Sequence, residues 1–142
     1  MSRYSISSIS ATALVASSGI AAHIEGADRV ITGITQDSRS VSPGDIYCCI
    51  RGENFDGHEF ASQAVADGAV ALLVDSPLTD LPDSIAVITV QDVRDAVGHI
   101  ASAAFGSPST SLTMVGITGT NGKTTVASLL HQLFLLLLLV FF

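Results

Sequence analysis

Seven consecutive residues, Gly119-Thr120-Asn121-Gly122-Lys123-Thr124-Thr125, are of the types needed to grip the phosphates of a nucleotide such as ATP. Glycines at 119 and 122 let backbone N–H groups turn inward on phosphate oxygens, with the positive end of a following helix behind them. Lys123 supplies a point charge for the terminal phosphates, and the Thr124 hydroxyl is placed to ligate Mg2+. The longer pattern G-x-x-x-x-G-K-[ST] is not met, because Ile117 stands where its first glycine would be. A Gly-rich surface turn with a solvated lysine is the alternative, and the surroundings decide between them. The apolar run 111–117 predicts a strand before the loop and the stretch from Lys123 predicts a helix after it, which is the context a phosphate loop requires.

The elements upstream alternate. A short helix is predicted in the Ala/Ser/Val/Ile stretch 9–22, capped by Ser8 or Ser10 and stopped by Gly19. A secretory signal is the alternative there, but Arg3 is the one positive charge ahead of it and six Ser/Thr residues dilute its apolar region. Strands are predicted at 29–35, 46–50, 69–74 and 85–90, and helices at 59–67, ended by Gly68, and 93–105, stopped by Gly106 and Pro108. Residues 37–45 and 51–58 are polar loops, the first holding a Pro43-Gly44 turn. This pattern is an α/β layer on a mainly parallel or mixed sheet. The small, polar run 106–111 is the best linker, so two domains are expected, 1–108 and 109–142. There is no internal repeat.

Composition narrows the partners. The 142 residues are 48% hydrophobic and 13% charged, enough for one domain with a real core. Six Lys+Arg against 13 Asp+Glu give a net charge of -7, which argues against nonspecific binding to nucleic acid or an anionic membrane. A phosphorylated ligand must therefore be held by local donors. Cys48 and Cys49 are adjacent in a strand, so their side chains face opposite ways and read as small core residues in a reducing compartment. His23, His99 and His131 have no partner cluster for a metal, and His58 reads as a loop hydrogen bonder. The tail 133–142 contains no polar residue, yet ten residues fall short of the roughly 20 a spanning helix needs. It reads as a truncated, frameshifted or artificial ending, or as a segment to be buried by further chain.

Three stretches in order resemble the Mur ligase family. Gly119 to Thr125 resembles its compact ATP loop; Asp37-Ser38-Arg39-Ser40-Val41-Ser42-Pro43-Gly44-Asp45-Ile46-Tyr47 resembles its D-S-R-x-V-x-P-G-D-[IL]-F signature. Gly52-Glu53-Asn54-Phe55-Asp56-Gly57-His58-Glu59-Phe60 resembles its G-x-x-x-D-G-H-x-F segment, followed by A-x-x-x-G-A in 64–69. The resemblance covers most of residues 30–125. It implies an N-terminal mixed α/β sheet domain that binds a UDP-muramoyl precursor, followed by the truncated start (strand, phosphate loop, helix) of a P-loop-type central ATPase domain. It also implies a cytoplasmic enzyme of peptidoglycan synthesis that forms an amide bond through an acyl phosphate, using ATP and Mg2+. The substrate would be UDP-N-acetylmuramoyl dipeptide, with diaminopimelate or lysine added as third residue. A member adding D-alanyl-D-alanine and a non-catalytic precursor-binding module are the alternatives.

By the same resemblance, Ser38 contacts the UDP, Gln36 contributes through its backbone, and Glu53, Asn54 and Phe55 form the loop that closes over it. Asp37 and Asp45 read as turn caps. Arg39 either pairs with one of them or contacts phosphate. The family's further acidic, histidine and modified lysine residues have no counterpart after Thr125, so the 142-residue chain by itself is expected to be inactive as a ligase, and stable membrane insertion is not expected.

Overall fold

The structure, a computed structural model, describes the backbone of residues 4–141 and the side chains of residues 4–137. Arg3 and Phe142, the first named above for its charge and the second as the last of the apolar tail, lie outside the described residues. The chain divides into two compact units, Met1–Pro108 and Ser109–Phe142.

The first unit is built on six strands: β1 (Tyr4–Ser10), β2 (His23–Glu25), β3 (Val30–Thr35), β4 (Asp45–Cys48), β5 (Ala71–Val74) and β6 (Ala86–Thr89). Their order across the sheet is β1-β3-β4-β5-β6-β2. The four central strands run parallel, and β1 and β2 close the two edges antiparallel to β3 and β6. The central strands are short β-branched and apolar runs covered on both faces, as parallel strands require. On one face lie helices α1 (Ala11–Ser18) and α3 (Val93–Ala104); on the other lies α2 (Ala61–Ala66). Strand alternation sorts the core: Ile46 and Cys48 enter the first layer with Leu73 and Ile88, while Tyr47 and Cys49 enter the second with Leu72 and Val74. Both cysteines are free and buried.

The caps follow local chemistry. Ser10 Oγ accepts from the Ala13 N–H at 3.2 Å at the start of α1, and Gly19 ends it at φ 70°. Asp92 caps α3, accepting from Arg94 N and Asp95 N at 2.7 and 3.2 Å. The buried positions of α3, Val93, Ala96, Ile100, Ala103 and Ala104, recur at helical spacing. The helix predicted over 59–67 begins instead as a 3-10 turn, Gly57–Phe60, because Asp56 caps it by accepting from His58 N.

Two edge strands were not expected. β1 is rich in serine, and β2 has only three residues; each takes its place from the partner it finds across the sheet. In the second unit the predicted strand 111–117 does not form. Ser111 ends a 3-10 turn (Pro108–Ser111), and residues 112–119 pair with no strand among the described residues, so their backbone lacks the neighbour a ladder needs. The predicted helix does form, as α4 (Lys123–Phe141). No residue of 109–137 is buried. Among the described residues no helix is long and apolar enough to cross a membrane.

Candidate functional site

The carboxyl ends of β3 and β4 open into a depression of about 570 Å³. Ligands of open α/β sheets sit beyond the carboxyl ends of the strands. One wall is the turn after β3: Gln36, Asp37, Ser38 and Arg39. The floor is Tyr47 and Ile50, and the far wall comes from Gly52, Phe55, Gly57 and Phe60. The structure thus brings Gln36, Ser38 and Phe55 to one cavity. Glu53 and Asn54 stand on the same loop as Phe55 but are exposed and do not line it.

The β3 turn is held by its own side chains. Asp37 caps the 3-10 turn Ser38–Ser40, accepting from Arg39 N at 3.1 Å. Arg39 closes a two-point fork on the same carboxylate, Nε to Oδ1 and Nη2 to Oδ2, both at 2.9 Å. Those hydrogen bonds hold the Asp37 carboxyl down at about 2. Asp45, fully buried, accepts from Ser42 N at 2.9 Å, so both aspartates act as turn caps.

The loop of the far wall is pinned at its base. Arg51 and Asp56 form an isolated β-bridge, and Arg51 Nε donates to Asp56 Oδ2 at 3.2 Å. Arg51 Nη2 reaches Ser76 Oγ at 3.0 Å and lies 3.3 Å from Asp75 Oδ1, tying the loop to the end of β5. Arg94, on α3, donates through Nη2 to the Arg51 carbonyl at 2.6 Å. His58 fills the space between: Nδ1 lies 2.6 Å from Asp56 Oδ1, and Nε2 accepts from the Asp75 N–H at 3.4 Å. Hydrogen bonds from the His58 backbone and ring hold the Asp56 carboxyl below its usual range. Gly57 passes so near β4 that an added Cβ would lie 2.7 Å from Ile50 N and O, while its carbonyl accepts from Tyr47 Oη at 3.1 Å. Asp75, Ser76 and Arg94 went unnoticed in the sequence because the residues they meet, His58 and Arg51, lie far along the chain.

In the second unit, Gly119 (φ 144°) and Gly122 (φ 77°) take backbone conformations that L side chains rarely adopt, and the chain turns between them into α4. Lys123 folds its ammonium back over the turn, donating to the Gly119 carbonyl at 2.5 Å and the Thr120 carbonyl at 3.4 Å. Thr124 and Thr125 follow, exposed, in the first turn of the helix. The stretch is therefore curled ahead of a helix, with its cation drawn to the centre of the curl.

Other reactive groups are accounted for by packing. Burial raises the Cys48 thiol, and it pushes the Cys49 thiol up to about 12, so neither is a nucleophile at neutral pH. Among the described residues no group of three or more His, Cys, Asp or Glu could hold a metal ion.

Comparison with known proteins places this geometry. Residues 30–105, which include every residue lining the depression, match the model of the Mur ligase family, catalytic domain. The UDP-N-acetylmuramoyl-L-alanyl-D-glutamate--2,6-diaminopimelate ligase of Listeria monocytogenes serotype 4b is 50% identical over 103 residues, 72% of this chain and 20% of the relative. The ligase of the same name from Syntrophomonas wolfei is 47% identical over 106 residues, 75% of this chain and 22% of the relative. The chain thus spans about a fifth of the length of the curated relatives it matches. Among solved structures, MurF from Acinetobacter baumannii superposes with a TM-score of 0.58 at 29% identity, over 70% of this chain and 21% of that one. The MurF ligase of Thermotoga maritima in complex with ADP gives 0.51 at 26%, over 65% and 20%. With more than half of its length matched by the family model and its sheet superposing on solved family members, the chain belongs to the Mur ligase family.

Proposed function

We propose that this chain is the N-terminal part of a cytoplasmic, ATP-dependent ligase of peptidoglycan synthesis that adds diaminopimelate to UDP-N-acetylmuramoyl-L-alanyl-D-glutamate. The observation that carries this is the identity of up to 50% to ligases of that name over nearly three quarters of the chain. The first unit would hold the UDP end of the precursor, with Gln36, Ser38 and Phe55 in the depression and Glu53 and Asn54 on the exposed rim above it. An amide such as Asn54 offers both a donor and an acceptor to uracil.

The second unit would begin the ATP site. Gly119 to Thr125 supplies the curled backbone and the ammonium that suit a polyphosphate: Lys123 already rests on carbonyls that anionic oxygens would displace. Thr124 fits a magnesium ion as a single hydroxyl ligand, the other oxygens coming from nucleotide and water. The nucleotide converts the precursor's carboxylate, a poor acylating agent, into an acyl phosphate that an amine can displace. This chain's contribution is positioning and charge neutralisation.

Three measurements test this reading. Titration calorimetry of the chain with UDP-muramoyl dipeptide should show binding, and a phosphate-release assay with ATP, dipeptide and diaminopimelate should show no turnover by the chain alone. A chimera joining residues 1–125 to the remainder of the Listeria ligase should turn over with diaminopimelate. The structural likeness to MurF favours a second reading, the ligase named for D-alanyl-D-alanyl transfer in a further Acinetobacter structure. Turnover only when residues 1–125 are joined to the remainder of MurF, and not to the Listeria ligase, would select it.

A further inference from the structure

We propose that Arg39 reads the diphosphate of the nucleotide in the depression, presented outward by Asp37 as a pre-set anion fork. The proposal rests on the reading that this depression takes a nucleoside diphosphate. Arg39 is the one lining residue with a positive side chain, and Asp37 the one with a negative side chain. The rest of the lining is neutral, and the chain as a whole carries -7, so an anionic ligand meets attraction here only from a local cation.

Ion pairing with Asp37 does not use Arg39 up. A guanidinium has five N–H donors in one plane, and the carboxylate engages one edge through Nε and Nη2. The opposite edge, Nη1 and the second N–H of Nη2, is left for an oxyanion, on a side chain that is 87% exposed. Asp37 is the fixed partner. Its side chain is 16% exposed, its carboxylate also accepts from Arg39 N, and its own N–H donates to Thr35 Oγ1 at 3.1 Å. The carboxylate therefore sets the plane of the guanidinium before any ligand arrives, which lowers the ordering cost of binding. It also cancels the charge of the empty site, so the pair discriminates by geometry: a planar, two-point donor suits phosphate oxygens better than a point charge does. The two alternatives for Arg39, a structural pair or a phosphate contact, become two faces of one side chain.

The test is calorimetric titration of the full chain with uridine, UMP and UDP, comparing the unaltered sequence with Arg39→Ala and Arg39→Lys. The unaltered chain should bind UDP roughly 10-fold or more tightly than uridine, an advantage that shrinks as salt rises. Arg39→Ala should abolish that advantage while leaving uridine affinity within about 2-fold, which also shows that the site is still folded. Arg39→Lys should restore only part of it, because the fork is lost. A preference for UDP that survives Arg39→Ala would overturn the proposal, as would an equal loss for uridine and UDP. No heat with any of the three ligands in the unaltered chain would overturn the reading of the depression itself, and this proposal with it.

Discussion

The carboxylate of Asp37 accepts from the Arg39 guanidinium and backbone, and that of Asp56 from the His58 backbone and ring; Asp28 accepts from Thr12 N at 3.0 Å. All three are held below the carboxyl value of 3.8, Asp37 at about 2. A group depressed in the folded state binds its proton more readily when unfolded, so folding is favoured above the unfolded value and the advantage drains away as pH falls through the folded one. Thermal midpoints should therefore be level from neutral pH down to about 4 and decline between about 4 and 2; a decline beginning near pH 6 would assign the acid sensitivity to histidine instead. At this scale the sequence was informative wherever partners are close along the chain. Asp37 and Asp45 bond to groups two and three positions away, and turn chemistry predicts such caps. Asp75 and Arg94 carried no local sign of their roles, because His58 and Arg51, which they meet, belong to another loop.

Two glycines show how elements set the tolerance of the site. Gly98 lies inside α3 with nothing within 4 Å of an added Cβ, whereas the Cβ of a residue at 57 would press on the Ile50 backbone. Gly98→Ala should stabilise the first unit by about 0.5–1 kcal/mol through helix propensity. Gly57→Ala should destabilise it by about 1–3 kcal/mol and displace the loop bearing Phe55. Chemical denaturation of the two variants, read as midpoints at constant slope, checks both signs. The four parallel strands were legible as short apolar runs between turn residues. β1 and β2 were not, since a serine-rich segment and a three-residue segment become strands only by finding β3 and β6. The converse error, a strand read at 111–117, has the same root: apolar character proposes a strand, but a partner makes one.

Taken whole, the chain concentrates its stability in one unit. Among the described residues every buried apolar residue lies between Ala11 and Ala104, while Leu112, Met114, Leu129 and Leu136 are exposed on the second unit. A helix with no buried residue over its described side chains, 123–137, is marginal in water. Hydrogen exchange should show long-lived amides in β3 to β6 and α3 and rapid exchange throughout 112–137; slow exchange in the second unit would mean its apolar face is covered.

The edge strands carry a further implication, for synthesis. β1 and β2 are separated in sequence by one short helix and its connection, yet they lie at opposite margins of the sheet, five inter-strand spacings or roughly 24 Å apart. As the polypeptide emerges from the ribosome, β1 can dock as soon as β3 is out, but β2 must wait for β6. Residues 4–25, made ahead of the rest of the sheet, thus include both the earliest and the last strand to settle, and the register irregularity of β1 and the three-residue length of β2 limit pairing at each margin with a neighbouring nascent chain.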